Sequence, residues 1–306
     1  SPDVLPVPAT QGGAVEKLIE QLVAFKNNNC IIHATSIVPN ESYYPQNNIF
    51  YIPIKPFEKF ISRVLGWISR KFGISRAYTN IYLYKIKKLI DLNKYDYVIF
   101  ENQPEYVLPF NREKYSCKLI IHLHNDKLNS KSKYKESILS NITLILTVSN
   151  YIKKQVLTIR GLNSSDVVVF FNCIDIQKFS SILKEPTYFK NNLKKFYMED
   201  AFNILFHGRL DPTKGVLELL KALNLINDIK INLIIVGSSW FGNTKKSPFM
   251  NKLLIESKIF NHSMNFTGFV KNKYIPVLLK KSDLIVLPSI WNDPCPIAVF
   301  EAAASR

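Results

Sequence analysis

The chain has 306 residues, of which 47% are hydrophobic and 12% aromatic, a composition typical of a folded protein with a substantial core. Its 40 lysines and arginines outnumber its 24 aspartates and glutamates, so the net charge of +16 favours anionic partners such as nucleic acids, acidic membranes or phosphorylated substrates. No apolar run reaches the roughly 20 residues that cross a bilayer. The four cysteines form no Cys-x-x-Cys pair, which disfavours a zinc or redox centre.

Short apolar runs alternate with helical patterns along the whole chain. In the first half, the sequence predicts strands over residues 31–38, 97–100, 118–124, 143–148 and 167–171 and helices over 15–25 and 81–92. In the second half, it predicts strands over 202–206, 231–236 and 284–288 and helices over 216–225, 249–257 and 274–280.

This alternation indicates an α/β fold built from parallel sheets that are flanked by helices. Two successive series of strands and helices predict two Rossmann-like domains. A polar, irregular segment over residues 176–200 separates the series, so we place the domains at 1–178 and 179–306.

Residues 55–90 form the most basic region, with nine lysines and arginines against one acid, Glu58. Apolar side chains such as Phe57, Phe60, Val64 and Ile68 recur at helical spacing. Such a helix could lie on an anionic membrane, or it could pack on the core with its lysines in solvent. Nucleic acid is not an expected partner, because no recognised nucleic-acid module is present.

A predicted strand-to-helix turn carries Gly208, Arg209 and Lys214. Such a turn exposes backbone N–H groups at the positive end of a helix, which suits a diphosphate. Arginine can hold phosphate oxygens in a fork, and lysine supplies a point charge. By composition alone, an ordinary turn with surface cations is the favoured interpretation.

The residue patterns of two motifs resemble those of a known family, and this favours the diphosphate interpretation. Gly208-Arg-Leu-Asp-Pro-Thr-Lys-Gly215 resembles the Gly-Arg-Leu-x-x-x-Lys-Gly motif of family 4 glycosyltransferases, which are retaining and use nucleotide sugars. Asp293 and Glu301, eight residues apart, resemble the Glu-x7-Glu motif of the same family. The family usually has Glu followed by Pro-Phe-Gly at the first position, whereas this chain has Asp293 followed by Pro-Cys-Pro.

The resemblance implies that Asp293 lies beside the transferred sugar and that Glu301 binds the ribose hydroxyls. The alternative for Asp293 is a plain turn residue. A glycosidase-like acid pair fits poorly, because Pro294 and Pro296 place Asp293 in a loop while Glu301 follows on a helix.

Weaker matches cover most of the chain. Gly12 and Gly13 resemble the family's glycine loop, where the backbone approaches the donor phosphates and the acceptor. His124 resembles the histidine near the reacting sugar, with His122 as the alternative.

In the second half, Gly237 resembles the glycine turn after the second strand. Phe269 and Val270 resemble the segment whose backbone meets the nucleobase.

The resemblance implies a GT-B fold, in which two Rossmann-like domains face each other across a cleft. It implies a sugar transfer from a nucleotide diphosphate sugar to an acceptor hydroxyl, in bacterial surface polysaccharide or glycolipid synthesis. The catalytic residues would be His124, Asp293, Arg209 and Lys214. Because the two cations would stabilise the leaving diphosphate, we expect no metal and no cofactor. The acceptor would be a glycan or a lipid-linked molecule.

The implied location is cytoplasmic, or peripheral on the inner face of the cell membrane. Two alternatives stay open: a catalytically silent GT-B protein that binds a nucleotide or glycan as a structural component, and a nucleotide-sugar epimerase. The family fold continues beyond both ends of this sequence, so we expect a fragment without the N-terminal strand and the C-terminal end.

Overall fold

The computed structural model describes residues 2–3, 5–9, 13–25, 30–39, 48–92, 94–180, 186–238 and 247–305, except for the side chains of residues 92 and 180. The chain divides into two compact units, Ser1–Asn172 and Cys173–Arg306. The sequence placed this boundary at 178/179.

Within its described residues, the first unit contains two parallel sheets and five α-helices. One sheet pairs β1 with β2, and the other has the order β3-β4-β5-β6. The strands are β1 (Ala34–Ile37), β2 (Ile49–Ile52), β3 (Tyr97–Glu101), β4 (Lys118–Leu123), β5 (Leu144–Thr147) and β6 (Val167–Val169). The helices are α1 (Ala14–Ala24), α2 (Pro56–Lys71), α3 (Ile81–Leu92), α4 (Lys135–Ser140) and α5 (Asn150–Val156).

The second unit contains a parallel sheet whose strands β7 (Phe202–His207), β8 (Ile231–Val236), β9 (Ser263–Gly268) and β10 (Leu284–Ile285) have the order β10-β7-β8-β9. Its helices are α6 (Gln177–Ser180), α7 (Val216–Leu223), α8 (Pro248–Glu256), α9 (Ile275–Lys281) and α10 (Ile297–Ala304). All six residues of β8 are buried. Leu233 packs with α7 and α8 residues on one face, and Ile234 packs with α9 residues on the other. A continuous apolar run is what a strand with both faces covered requires.

Several predicted boundaries were wrong. The strand predicted over 284–288 ends at Ile285, although the N–H of Val286 still donates to the Leu205 carbonyl at 2.9 Å. The strand predicted over 31–38 covers only Ala34–Ile37. Strands β2 and β9 were missed. Strand β9 lies at the sheet edge and its sequence, Ser-Met-Asn-Phe-Thr-Gly, contains no apolar run.

The helical spacing near residue 60 correctly predicted α2, but the core-facing interpretation of this helix was wrong. Phe57, Phe60 and Trp67 are 71%, 62% and 52% exposed. Only Gly66 and Ser69 of α2 are buried. The helix therefore presents both aromatic and basic side chains to its surroundings. None of the helices in the described ranges is long and apolar enough to cross a membrane.

Candidate functional site

The carboxyl edge of the second sheet has the layout of a ligand site. From β7 the chain proceeds to β8 and β9 on one side, and then returns to place β10 on the other side of β7. In open parallel sheets, ligands bind outside the carboxyl ends of the strands at such a reversal. The loop after β7 carries Gly208–Gly215, and the loop after β10 carries the segment up to Asp293, so both motifs arrive at this point.

These two loops touch through their backbones. Gly215 has a left-handed φ of 70°, and a Cβ placed there would lie 1.9 Å from the carbonyl oxygen of Pro288. The N–H of Ile290 donates to the carbonyl of Thr213 at 2.9 Å. Glycine at 215 is therefore required both for the backbone conformation and for the approach of the second loop.

The predicted cations each face an acid. The Lys214 ammonium donates a hydrogen bond to Asp293 and lies 5.6 Å from the centre of the Trp291 ring. The Arg209 guanidinium lies 3.6 Å from the Asp211 carboxylate and is 41% exposed. The structure thus joins Lys214 and Asp293, which are 79 positions apart in sequence, in a single contact. Asp293 therefore forms an ion pair, and its predicted position beside the transferred sugar stays a prediction.

Glycines line the neighbouring strand ends. The N–H of Gly208 donates to the Val236 carbonyl at 3.0 Å, and the N–H of Gly237 donates to the Gly268 carbonyl at 3.0 Å. A Cβ at Gly237 would lie 1.9 Å from the Gly208 carbonyl oxygen, so the two loops need glycine in order to touch. In the next segment, Phe269 is partly exposed, while Val270 is buried in the core beside α9.

Glu301 lies on α10 with its side chain buried, and its carboxylate is 3.6 Å from Nδ1 of His207 at the end of β7. Its predicted ribose contact stays a prediction. Sequence reasoning missed two neighbours, His207 and Trp291. Their positions, directly before Gly208 and two residues before Asp293, were the available signal.

In the first unit, the neighbouring ends of β3 and β4 carry a buried carboxylate–histidine cluster. Oε2 of Glu101 lies 3.0 Å from Nδ1 of His122 and 2.9 Å from Nε2 of His124. Asn102, with an uncommon positive φ of 55°, accepts the N–H of His124 through its side chain at 3.1 Å. Both histidines, the predicted one and its alternative, thus share one acid that the sequence analysis did not identify.

The surroundings of Glu101 and His124 shift the pKa values of both groups. Burial alone would raise the pKa of Glu101, but hydrogen bonds and charge from His122 and His124 outweigh it and lower the pKa to about 2. Burial lowers the pKa of His124, against the opposing effect of Glu101. An ionised Glu101 can only accept hydrogen bonds, so Nε2 of a neutral His124 carries the proton and Nδ1 keeps its lone pair.

Gly13, the second residue of the predicted glycine loop, has φ 105° and precedes α1, whereas Gly12 lies outside the described residues. A Cβ at Gly13 would lie 2.1 Å from the Glu16 carboxylate. Glu16 is buried, and this burial raises its pKa to about 7. Gly13 therefore lies against a carboxylic acid whose pKa is raised to near neutral pH.

Glu101, His122 and His124 are also the residues that could hold a metal among those described, since their ligand atoms all lie within 4.8 Å of one another. The two ring nitrogens already donate to the same carboxylate oxygen. A cation would have to replace both of these hydrogen bonds, so the donors fit a hydrogen-bond network as well as they fit a metal.

Comparison with known proteins gives the following matches. Residues 189–306 match the family described as "Glycosyl transferases group 1". The chain is 24% identical over 313 residues to "Putative glycosyltransferase YtcC" of Bacillus subtilis, covering 98% of this chain and 70% of that protein. It is 25% identical over 222 residues to "Spore coat protein SA" of Bacillus subtilis, covering 70% of this chain and 58% of that protein.

Two solved structures share the fold. Anabaena HepE in complex with UDP aligns with a TM-score of 0.61 at 18% identity, over 84% of this chain and 65% of HepE. The structure described as "Trehalose-6-phosphate from E. coli bound with UDP-2-fluoro glucose" aligns with a TM-score of 0.70 at 12% identity, over 100% of this chain and 80% of that chain. These alignments confirm the α/β fold class of GT-B type, and the matched family supports a glycosyltransferase.

Proposed function

We propose that this chain transfers a sugar from a nucleotide diphosphate sugar to an acceptor hydroxyl with retention of the anomeric configuration. The observation that carries the proposal is the meeting of the Gly208–Gly215 loop and the Asp293 loop at the reversal point of the second sheet. That edge supplies an exposed guanidinium, an ammonium group and glycine turns, a combination suited to a diphosphate.

In this proposal Arg209 and Lys214 neutralise the charge that develops on the leaving diphosphate, the role that a divalent metal has elsewhere. Asp293 then lies where a transferred sugar would follow the diphosphate. The cluster around Glu101 holds His124 with its Nδ1 lone pair available to accept a hydrogen bond. Front-face attack, with the departing phosphate taking the acceptor proton, is the mechanism that the family resemblance implies.

The test is donor turnover, measured as nucleotide release from a panel of nucleotide sugars that includes UDP-glucose. Arg209→Gln and Lys214→Gln should each lower turnover by about 10²–10³-fold, as expected for the loss of one transition-state donor. Lys221→Gln is the matched control, because Lys221 is an exposed cation on α7 beyond the loop. Wild-type turnover in both loop variants would overturn the proposal, and NMR of the product anomer tests retention.

A structural role is the second candidate, favoured by the likeness to a relative named as a spore coat protein. In a catalytically silent protein, binding of the donor would raise the melting temperature of the protein, but no nucleotide would be released. Product analysis by mass spectrometry, with donor but without acceptor, tests the epimerase alternative, because of these candidates only an epimerase would produce an isomerised donor.

We further propose that α2 lies on an anionic membrane. Its exposed Phe57, Phe60 and Trp67 supply apolar contact, and Arg63 and Arg70 on the same helix supply charge. Wild-type protein should float with phosphatidylglycerol vesicles and not with phosphatidylcholine vesicles. Replacing the three aromatic residues by serine should abolish flotation.

The control is Ile255→Ser combined with Ile259→Ser, two exposed apolar residues far from α2 in the sequence. Charge-independent flotation, or unchanged flotation of the aromatic variant, would contradict membrane binding by α2.

A further inference from the structure

Strand β10 carries the Asp293 loop to the carboxyl edge of the second sheet, yet it has little pairing of its own. It lies at the edge of that sheet and pairs with β7 through Leu284 and Ile285, whereas β7 and β8 pair at six positions. A shift of β10 by one residue would move the following loop by about 3.3 Å, the rise of one strand residue. Such a shift would break the hydrogen bond between Lys214 and Asp293. The register of β10 therefore decides whether the two loops meet.

One side chain at the start of β10 is specific for a single register. Asp283 immediately precedes β10, and Asn203 is the second residue of β7. The N–H of Asp283 donates to the Asn203 carbonyl at 2.9 Å, and the Asp283 carboxylate accepts the N–H of Asn203 at 2.8 Å. The side-chain amide of Asn203 also donates to this carboxylate at 3.4 Å. Backbone bonds are available in any register, whereas bonds to the Asp283 carboxylate form only when these two residues lie side by side.

Asn203 is itself held by a row of amide side chains that crosses the sheet. Its side-chain oxygen accepts from the amide of Asn232 on β8 at 2.8 Å and from the N–H of Met198 at 3.0 Å. The side-chain oxygen of Asn232 accepts in turn from the amide of Asn265 on β9 at 3.0 Å. Asn203 and Asn232 are buried, so the loss of a partner would leave a buried polar group unpaired. The row therefore gives Asp283 a fixed partner on β7.

The segment that starts at Asp283 also carries the contact between the two loops. The N–H of Val286 donates to a carbonyl of β7 at 2.9 Å, and the N–H of Ile290 donates to the Thr213 carbonyl at 2.9 Å. Ile290 follows Asp283 by seven residues. A change of register at Asp283 would therefore be passed along the backbone to the contact at Ile290.

We propose that Asp283 and Asn203 are positioning residues of the site in the second unit. They fix the register of β10 on β7, and β10 then holds Asp293 at Lys214. Both residues lie at the amino ends of their strands, opposite the edge that carries the loops, so they act through the strand and not by contact with the donor. The register role rests on the hydrogen bonds at the start of β10, whereas the role in donor binding rests also on the proposed transferase function.

Amide hydrogen exchange, followed by NMR, tests the register without any ligand. In Asp283→Ala, the protection of the Val286 and Ile290 amides should fall by about tenfold, the effect of one hydrogen bond to a charged group, while the amides of β8 keep their protection. Asp283→Asn should restore most of the protection, because its side-chain oxygen still accepts the N–H of Asn203. Asp228→Ala, at an exposed aspartate three residues before β8, is the matched control and should behave like wild type.

Two outcomes of this measurement would overturn the register role. One is unchanged protection of the Ile290 amide in Asp283→Ala. The other is an equal loss of protection at Ile290 and at the amides of β8, because an equal loss reports a general decrease in stability and not a displaced β10.

Isothermal titration with UDP-glucose tests the positioning of the site. Asp283→Ala should weaken binding by about tenfold in the wild-type background and by less than about twofold in the Lys214→Gln background, because the contact that β10 positions is already lost there. Equal weakening in both backgrounds would overturn the positioning role. If wild type neither binds UDP-glucose nor releases nucleotide, while the protection of Ile290 still depends on Asp283, the transferase proposal fails and the register role stands.

Discussion

Replacing Gly215 by alanine tests whether the two loops of the second unit form one site. The added methyl would lie 1.9 Å from the Pro288 carbonyl oxygen and 3.3 Å from Ile290. The first contact is with backbone, so relief requires that the loops separate. Alanine at φ 70° costs about 1 kcal/mol by itself. Separation also removes the hydrogen bond from Ile290 to Thr213, which is worth about 1 kcal/mol.

With the weakened Lys214–Asp293 pair, the total is about 3 kcal/mol, or about 10 °C in melting temperature for a unit of this size. Gly268→Ala is the matched control: its φ is 71°, and no heavy atom of the described residues lies within 4 Å of the added Cβ. It should lose only the backbone contribution, about 1 kcal/mol. Differential scanning calorimetry measures both variants.

The functional half of the prediction is donor affinity. Separated loops move Lys214 away from Asp293, so binding of UDP-glucose should weaken by at least about tenfold if the two loops together form the donor site. Gly161→Ala serves as the binding control, because Gly161 has φ 91° and belongs to the first unit. Equal losses of stability in Gly215→Ala and Gly268→Ala would refute the close approach of the loops.

Three further predictions concern charge. Glu16 has a pKa raised from 4.5 to about 7, so the stability that this carboxyl gives in its protonated form is lost as the pH rises between those values. Between pH 5 and pH 8, the free energy of unfolding of wild type, measured in urea, should therefore fall by up to about 3 kcal/mol more than that of Glu16→Gln. The variant Glu113→Gln, at an exposed glutamate, should show the same fall as wild type. Glu101 has a pKa lowered to about 2, so its stabilisation is present above 4.5 and is lost as the pH falls towards 2. Glu101→Gln should be less stable than wild type at pH 7, and it should lose less stability than wild type between pH 5 and pH 3. If the difference in free energy of unfolding between the two proteins did not change over that pH range, Glu101 would not be ionised in the cluster. EDTA should leave nucleotide release unchanged. A loss of release that Mg²⁺ restores would show that Arg209 and Lys214 do not take the place of a metal ion.

The sequence predicted the second unit better than the first because its motifs depend on local geometry. A short apolar run such as Ile231–Val236 is typical of a strand that is covered on both faces, and a glycine directly after it favours a turn. The contact between Lys214 and Asp293 depends instead on β10 lying beside β7. That adjacency is a property of strand order, which no local pattern contains, so only a family resemblance could suggest it.

The first unit shows the opposite case. Glu101 ends an apolar strand and carries no motif, yet it holds both histidines. Its role arises because β3 and β4 pair in register, with Glu101 opposite His122. For α2, the helical spacing predicted the helix correctly but not its environment. Periodicity shows that apolar side chains share a face, but it does not show what covers that face.

The pairing of charges at the second unit assigns different roles to its two cations. Lys214 is largely buried and bonded to Asp293, so a diphosphate must compete with that carboxylate for it. Arg209 is 41% exposed and its guanidinium lies 3.6 Å from the Asp211 carboxylate, so this ion pair is more accessible to solvent, and weaker, than that of Lys214 with Asp293. We therefore expect Arg209 to supply most of the affinity for the donor. In the proposed transfer, we expect the interaction of Lys214 with the diphosphate to strengthen most when the glycosidic bond breaks, because the extra charge on the leaving phosphate then competes better with Asp293 for the ammonium group.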